Sequence, residues 1–221
     1  MAAKLSLDEL SCIDCAVVNC KPGYPDRFPK FCLAIGLDEQ TRDRTLAGYQ
    51  DEQARAITQA AALVEYEGYG VWPRVDEIMQ FATRIGAHKI GIANCVGLIN
   101  EARIFAQILR ARGFEAFGVS CKVGVTPKTE LGIDERCETL GKHACNPILQ
   151  AELLEQAGTE LNVVIGLCVG HDSLFYQHSH TLVTTLVTKD RVTGNNPAAA
   201  LYTYSSYYHK LATPDWAPKR P

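Results

Sequence analysis

The chain has 221 residues, 47% hydrophobic and 21% charged, a globular composition that excludes an intrinsically disordered protein. Its 22 Lys and Arg against 25 Asp and Glu leave a net charge of −3, with no basic excess to hold a nucleic-acid backbone, and no apolar run reaches the ~18 residues that would span a membrane. The nine Cys are too few for a disulfide scaffold and odd in number, and MAAKLSLDELSC has no signal-peptide pattern; together these predict a reducing, cytoplasmic setting in which clustered Cys bind metal or do redox chemistry.

In chain order, residues 1–36 form a Cys- and Pro-rich segment. Pro22, Gly23, Pro25 and Pro29 preclude a regular helix or central strand there, and the segment has little apolar material of its own. Residues 37–221 read as an α/β domain. DEQTRDRTLAGYQDEQARAITQAAALVEYEGYG reads as helix ending at Gly68 and Gly70, with Ala54, Ile57, Ala61 and Val64 on one face. A second helix covers about Arg74 to Ile85, with Val75, Ile78, Met79 and Ala82 inward. Lys89–Cys95 reads as a buried strand, Leu98–Gly113 as an amphipathic helix and Glu115–Cys121 as a second strand. A loop of about 25 residues leads to a helix that starts at Asn146-Pro147, where Asn fits the N-cap and Pro the first turn. Leu161–Cys168 is a third strand, HDSLFYQHS a short helix and His180–Asp190 a fourth strand. A last helix follows Asn196-Pro197, with Tyr202, Tyr204, Tyr207 and Tyr208 as packing residues, and the tail TPDWAPKRP is extended. Alternating strands and helices predict a three-layer α/β sandwich with a mainly parallel sheet of about four strands, all strand C-termini on one edge.

Two cysteine groups carry the chemistry. Cys12, Cys15, Cys20 and Cys32 have the spacing C-x2-C-x4-C-x11-C. Two thiolates two residues apart can face one ion without strain, and two more complete a zinc site or a cubane. The turn-rich surroundings make a metal the natural folding nucleus of this segment. The spacing matches neither a ferredoxin run nor a paired-knuckle finger, so iron–sulfur and zinc both stand.

Cys95, Cys121 and Cys168 each end a predicted strand, and Cys145 immediately precedes a predicted helix start. In an open parallel sheet, ligands bind outside the strand C-termini. The four are therefore expected to form a thiolate basket there, wide enough for a [4Fe-4S] cluster. His171 and Asp172 follow Cys168 closely and are candidates for proton transfer or for tuning the centre. Lys122, next to Cys121, reads as a solvated lysine, the alternative being a group that lowers thiol pKa values or binds an anionic ligand, and Cys137, in a polar loop, reads as no part of either site, the alternatives being a spare ligand or a labile thiol. No G-x-G-x-x-G fingerprint is present, so a dinucleotide site is unsupported.

The blocks GIANCVGLINEA, SCKVG, CNPILQAELL, GLCVGHDSLF and TTLVTKDRVTGNNPAAALY, with the N-terminal C-x2-C-x4-C element, resemble the domain of unknown function 1847 family over nearly the whole chain. That family is described as uncharacterised metal-binding proteins, often of anaerobic prokaryotes. The resemblance implies Cys ligands at the eight positions named above, excludes Cys137, and favours iron–sulfur over zinc without implying a reaction. The expectation is an iron–sulfur protein, with one or two [4Fe-4S] clusters, acting in redox or sulfur chemistry on a small molecule or with a redox partner protein. The alternative is a non-enzymatic, zinc-stapled carrier of metal or clusters, with zinc at the N-terminal site.

Overall fold

The computed structural model describes residues 6–214, so most of the extended tail predicted from Thr213 onward lies outside the described residues. The described residues fall into two units, one up to Gln59 and one from Ala60 onward. Among them, no helix is long and apolar enough to cross a membrane.

The first unit is built from short 3-10 turns at Leu7–Glu9, Cys12–Asp14 and Pro25–Arg27, followed by α1 (Glu39–Gly48) and the start of α2 (Glu52–Gly68). No described side chain up to Gln59 is buried. Ile13 is 94% exposed, and Val17, Leu33 and Ile35 are also on the surface. This unit therefore has no hydrophobic core to hold its turns.

The stretch read as one helix is two. Gly48 ends α1, and Asp51 opens a new N-terminus by accepting a hydrogen bond from the Ala54 amide at 2.8 Å. The inward stripe of α2 also differs by one residue from the expected one. Ala60, Val64 and Gly68 are buried and Ala61 is exposed.

In the second unit, α3 (Arg74–Arg84) buries Ile78, Met79 and Ala82, as its periodicity predicts. The remaining elements are β1 (Lys89–Asn94), α4 (Ile99–Ala111), β2 (Glu115–Ser120), α5 (Pro147–Gln156), β3 (Leu161–Ile165), α6 (His171–His178), β4 (Leu182–Val187) and α7 (Ala198–Tyr202). The sheet order is β2-β1-β3-β4, and every pair is parallel. The connection from β1 to β2 runs in the opposite direction to those from β2 to β3 and from β3 to β4. Right-handed crossovers then put α4 on one face of the sheet and α5 and α6 on the other, which makes the three-layer sandwich. The core gathers Ile90, Ile92, Val163, Ile165, Phe105, Leu109, Leu154 and Phe175.

Asn162 on β3 crowds the space beside Gly91 on β1. A Cβ on Gly91 would lie 2.0 Å from Oδ1 of Asn162, the residue beside it in register. That oxygen accepts from Thr159 Oγ1 at 2.8 Å, and Asn162 Nδ2 donates to Ser179 Oγ at 3.1 Å. Glycine is required here for the close approach, because any side chain would displace a buried, satisfied amide.

At the other end of α5, Asn146 caps through its Oδ1 on the Leu149 amide, with Pro147 first in the helix, as expected. Two predicted elements are shorter. β4 spans six residues, and α7 stops at Tyr202. The following TYSSYY run has weak helix formers and no apolar stripe. Tyr202 and Tyr207 consequently stand 81% and 86% exposed, so they do not pack as predicted.

Candidate functional site

The sheet order places a topological switch point between β1 and β3. The chain leaves β1 through α4 toward β2, and leaves β3 through α6 toward β4, opening a crevice at their C-terminal ends. Cys95 and Cys121 each follow their strand by one residue. β3 ends three residues earlier than the sequence suggests, at Ile165, so Cys168 belongs to the turn after it.

The backbone amides of Cys95 and Cys121 still extend the sheet ladder, donating to Ile165 O at 3.0 Å and Asn94 O at 2.8 Å. Cys145 is drawn in by its neighbour, since the Asn146 amide donates to Cys121 O at 2.8 Å. Gln150, fully buried on α5, donates to Val119 O at 2.6 Å and fastens the helix beneath the same edge.

Cys95, Cys121, Cys145 and Cys168 all line one cavity of about 410 Å³. All nine cysteines of the chain are free thiols. The sulfurs of Cys121 and Cys145 are 3.6 Å apart. Each of the other contacts to these sulfurs is a donor. The Val96 amide donates to Cys121 Sγ and the Gly97 amide to Cys95 Sγ, both at 3.4 Å. Lys189 Nζ donates to Cys95 Sγ at 3.4 Å and Arg191 Nη2 to Cys168 Sγ at 3.1 Å.

These donors set where the protons sit. Hydrogen bonding with Cys121, then with His171, and the Lys122 charge hold Cys145 down to about 4. Cys95 is lowered to about 5, first by Cys121 and then by the Gly97 amide and Lys189 against the opposing effect of burial. Cys121, shared between the two and buried, is pushed up and keeps its proton. His171 is raised, chiefly by its interaction with Cys145.

At pH 6, above both lowered values, Cys145 and Cys95 are thiolates, whereas an ordinary thiol is only about 0.3% ionised. In the reduced, metal-free protein, iodoacetamide at pH 6 should label Cys145 before the more exposed Cys12 and Cys20. The preference should vanish below pH 4. Mass-spectrometric mapping that shows Cys12 and Cys20 labelled first would contradict this proton order.

His171 is the first residue of α6 and lines the cavity, and its Nδ1 is buried without a hydrogen-bond partner among the described residues. Asp172 is not part of the lining. Its Oδ1 accepts from the Ser173 amide at 2.8 Å, so it serves the helix start. Lys122 is on the cavity wall, with Nζ donating to His143 O at 2.5 Å, and so is not simply solvated. Cys137 contributes only its carbonyl, to Lys128 Nζ.

Sequence reasoning missed Lys128, Lys189 and Arg191. The last two lie two and four residues past the end of β4, so the rule that flagged the strand-end cysteines also reaches them. Lys128 lies in the long loop between β2 and α5, where no local pattern points inward.

The N-terminal four, Cys12, Cys15, Cys20 and Cys32, line a separate cavity of about 120 Å³ with Val18, Phe28, Pro29, Phe31 and Leu33. Val18 has φ of +48°, in the loop between Cys15 and Cys20. A β-branched residue is strained there, by roughly 1–3 kcal/mol, and holds that conformation only where its surroundings impose it.

Among the described residues, no three His, Cys, Asp or Glu side chains converge as donors to a single ion. Both cysteine sets instead surround a space. Four sulfurs line each cavity, and sulfur is the preference of zinc and iron–sulfur centres and not of calcium or magnesium. The residues present therefore fit a thiolate-held centre.

Residues 32–186 match the family described as protein of unknown function (DUF1847). The match contains Cys32 and the four crevice cysteines and leaves Cys12, Cys15 and Cys20 outside, so it covers less of the chain than the resemblance suggests. An uncharacterised protein of Methanocaldococcus jannaschii is 41% identical over 162 residues, which are 73% of this chain and 82% of that one. No solved structure matches.

Proposed function

We propose that this chain, which belongs to the DUF1847 family, is an iron–sulfur protein whose working centre is a [4Fe-4S] cluster held by Cys95, Cys121, Cys145 and Cys168. The observation that carries this reading is the convergence of four thiols, from two strand ends, the turn after β3 and a helix start, on one cavity at the switch point of the sheet. The cavity, about 410 Å³, is wider than a single ion needs. Amide and ammonium donors to the sulfurs are also the contacts by which proteins stabilise a cluster and set its potential.

A cluster in this crevice would supply electron transfer or a Lewis-acidic iron. The chain itself would do the rest. Lys189 and Arg191 offset thiolate charge, Gln150 fixes the helix that carries Cys145, and His171 is placed to hold or release a proton beside Cys145. Cys12, Cys15, Cys20 and Cys32 would hold a second centre, a cluster or zinc, that organises the coreless N-terminal unit. The reaction class is redox or sulfur chemistry on a small molecule.

The reading is tested by iron, sulfide and zinc analysis of protein purified without oxygen. About four irons and four sulfides per chain are expected from the crevice, with either a second such set or one zinc from the N-terminal cysteines. Protein with zinc alone, and no iron after anaerobic reconstitution, would favour the non-enzymatic zinc-stapled carrier.

A further inference from the structure

The thiols account for only part of the crevice wall. Lys122, Lys128, Lys189 and Arg191 line the same cavity, and no Asp or Glu does. None of the four makes a salt bridge to a carboxylate among the described residues. Lys128 is only 8% exposed, and the one hydrogen bond of its ammonium goes to the Cys137 carbonyl. An ammonium buried against a single neutral acceptor is costly unless a negative charge faces it.

The charge balance shows how much negative charge is missing. Four thiolates around a doubly positive core carry two net negative charges. The four cations exceed this by two, before any contribution from His171. The loop that delivers Lys128, between β2 and α5, is tied down by the backbone pairing of Pro127 with His143, and it brings Ile133 and Leu140 to the same wall. Lys122 and Lys128 are thus carried by a loop whose path is fixed by pairing, unlike lysines on a solvated face.

We infer that the crevice binds a small dianion, a dicarboxylate or a sulfur or phosphorus oxyanion, on Lys122, Lys128 and Arg191 beside the four sulfurs. For its charge balance this rests on the proposed function. Arg191 has a planar fork suited to two oxygens of one such group, and it donates only through Nη2 to Cys168. Lys128, buried at the wall, acts as the specificity determinant, since it favours ligands that bring compensating charge into a poorly solvated space.

The test is anaerobic titration calorimetry of the full chain with malonate, sulfate and acetate at constant ionic strength, with iron content measured on each sample. Saturable binding of malonate or sulfate, at least tenfold tighter than acetate, is expected; malonate alone would assign a dicarboxylate and sulfate alone an oxyanion. Arg191→Gln and Lys128→Gln should each weaken binding of the dianion at least tenfold, compared between samples matched in iron content. Arg191 is exposed, so its variant keeps the test valid if Lys128→Gln does not fold. Iron-replete protein that binds neither dianion, or that binds them as well after Arg191→Gln, would overturn the inference and leave the cluster reading intact. Iron-free protein that still binds a dianion through Arg191 would support the inference and sink the cluster reading.

Discussion

A Cys95→Ser/Cys168→Ser protein, purified and reconstituted without oxygen, is expected to lose about four irons and four sulfides relative to the native chain. Both residues leave the sheet at the β1/β3 switch point, so the double change removes the two sulfurs that flank the crevice from its central strands. It should leave the fold in place. Serine is nearly isosteric with cysteine, and the ladder bond from the residue 95 amide to Ile165 O is made by backbone alone. Lys189 and Arg191 would lose their sulfur partners and leave cations around a hydroxyl-lined space, which disfavours capture of another metal cation. A variant that folds, shown by its circular dichroism, and keeps all its iron and sulfide would mean that the crevice holds no cluster.

Replacing Cys15 with Ser should release the metal of the N-terminal unit and unfold that unit alone. No described side chain up to Gln59 is buried, and Val18 sits at φ of +48° in the loop between Cys15 and Cys20. Turns without a core cannot offset the entropy of ordering, which is about 1–2 kcal/mol per residue, whereas a structural metal contributes on the order of 10 kcal/mol. Hydrogen exchange should therefore show residues 11–36 losing protection in Cys15→Ser, with β1, β3 and α5 unchanged. Unchanged metal content and protection would remove Cys15 from the ligand set.

The α/β sandwich was legible because its signals are local and strong. Short apolar runs ending in Cys marked β1 and β2, and Asn146-Pro147 marked α5 through cap chemistry that acts within one turn. Boundaries were less legible where a strand ends in apolar residues that do not pair. Leu167 is buried like a strand residue, but Gly166, with φ of +63°, turns the chain before it, so Cys168 reaches the crevice from a turn. The break between α1 and α2 was written in Gly48 and Asp51 but masked by strong helix formers on both sides.

The candidate site divides in the same way. Three of its cysteines could be found from one topological rule applied to strand ends, and Cys145 from the helix start beside it. The cations could not all be found so, because Lys128 is brought in by a loop whose path depends on long-range pairing at Pro127 and His143. Asp172, close in sequence to Cys168, is turned to its own helix start, which shows how little adjacency says about which way a side chain faces.

The central claim, that the strand-edge crevice holds an iron–sulfur cluster, is tested most directly on a Cys12→Ser/Cys15→Ser protein, in which only the crevice keeps four cysteines. X-ray absorption at the iron and zinc edges should find iron in an all-sulfur shell with a short iron–iron neighbour, the signature of a cluster. Zinc in place of iron, or protein free of both metals after anaerobic reconstitution, would contradict it.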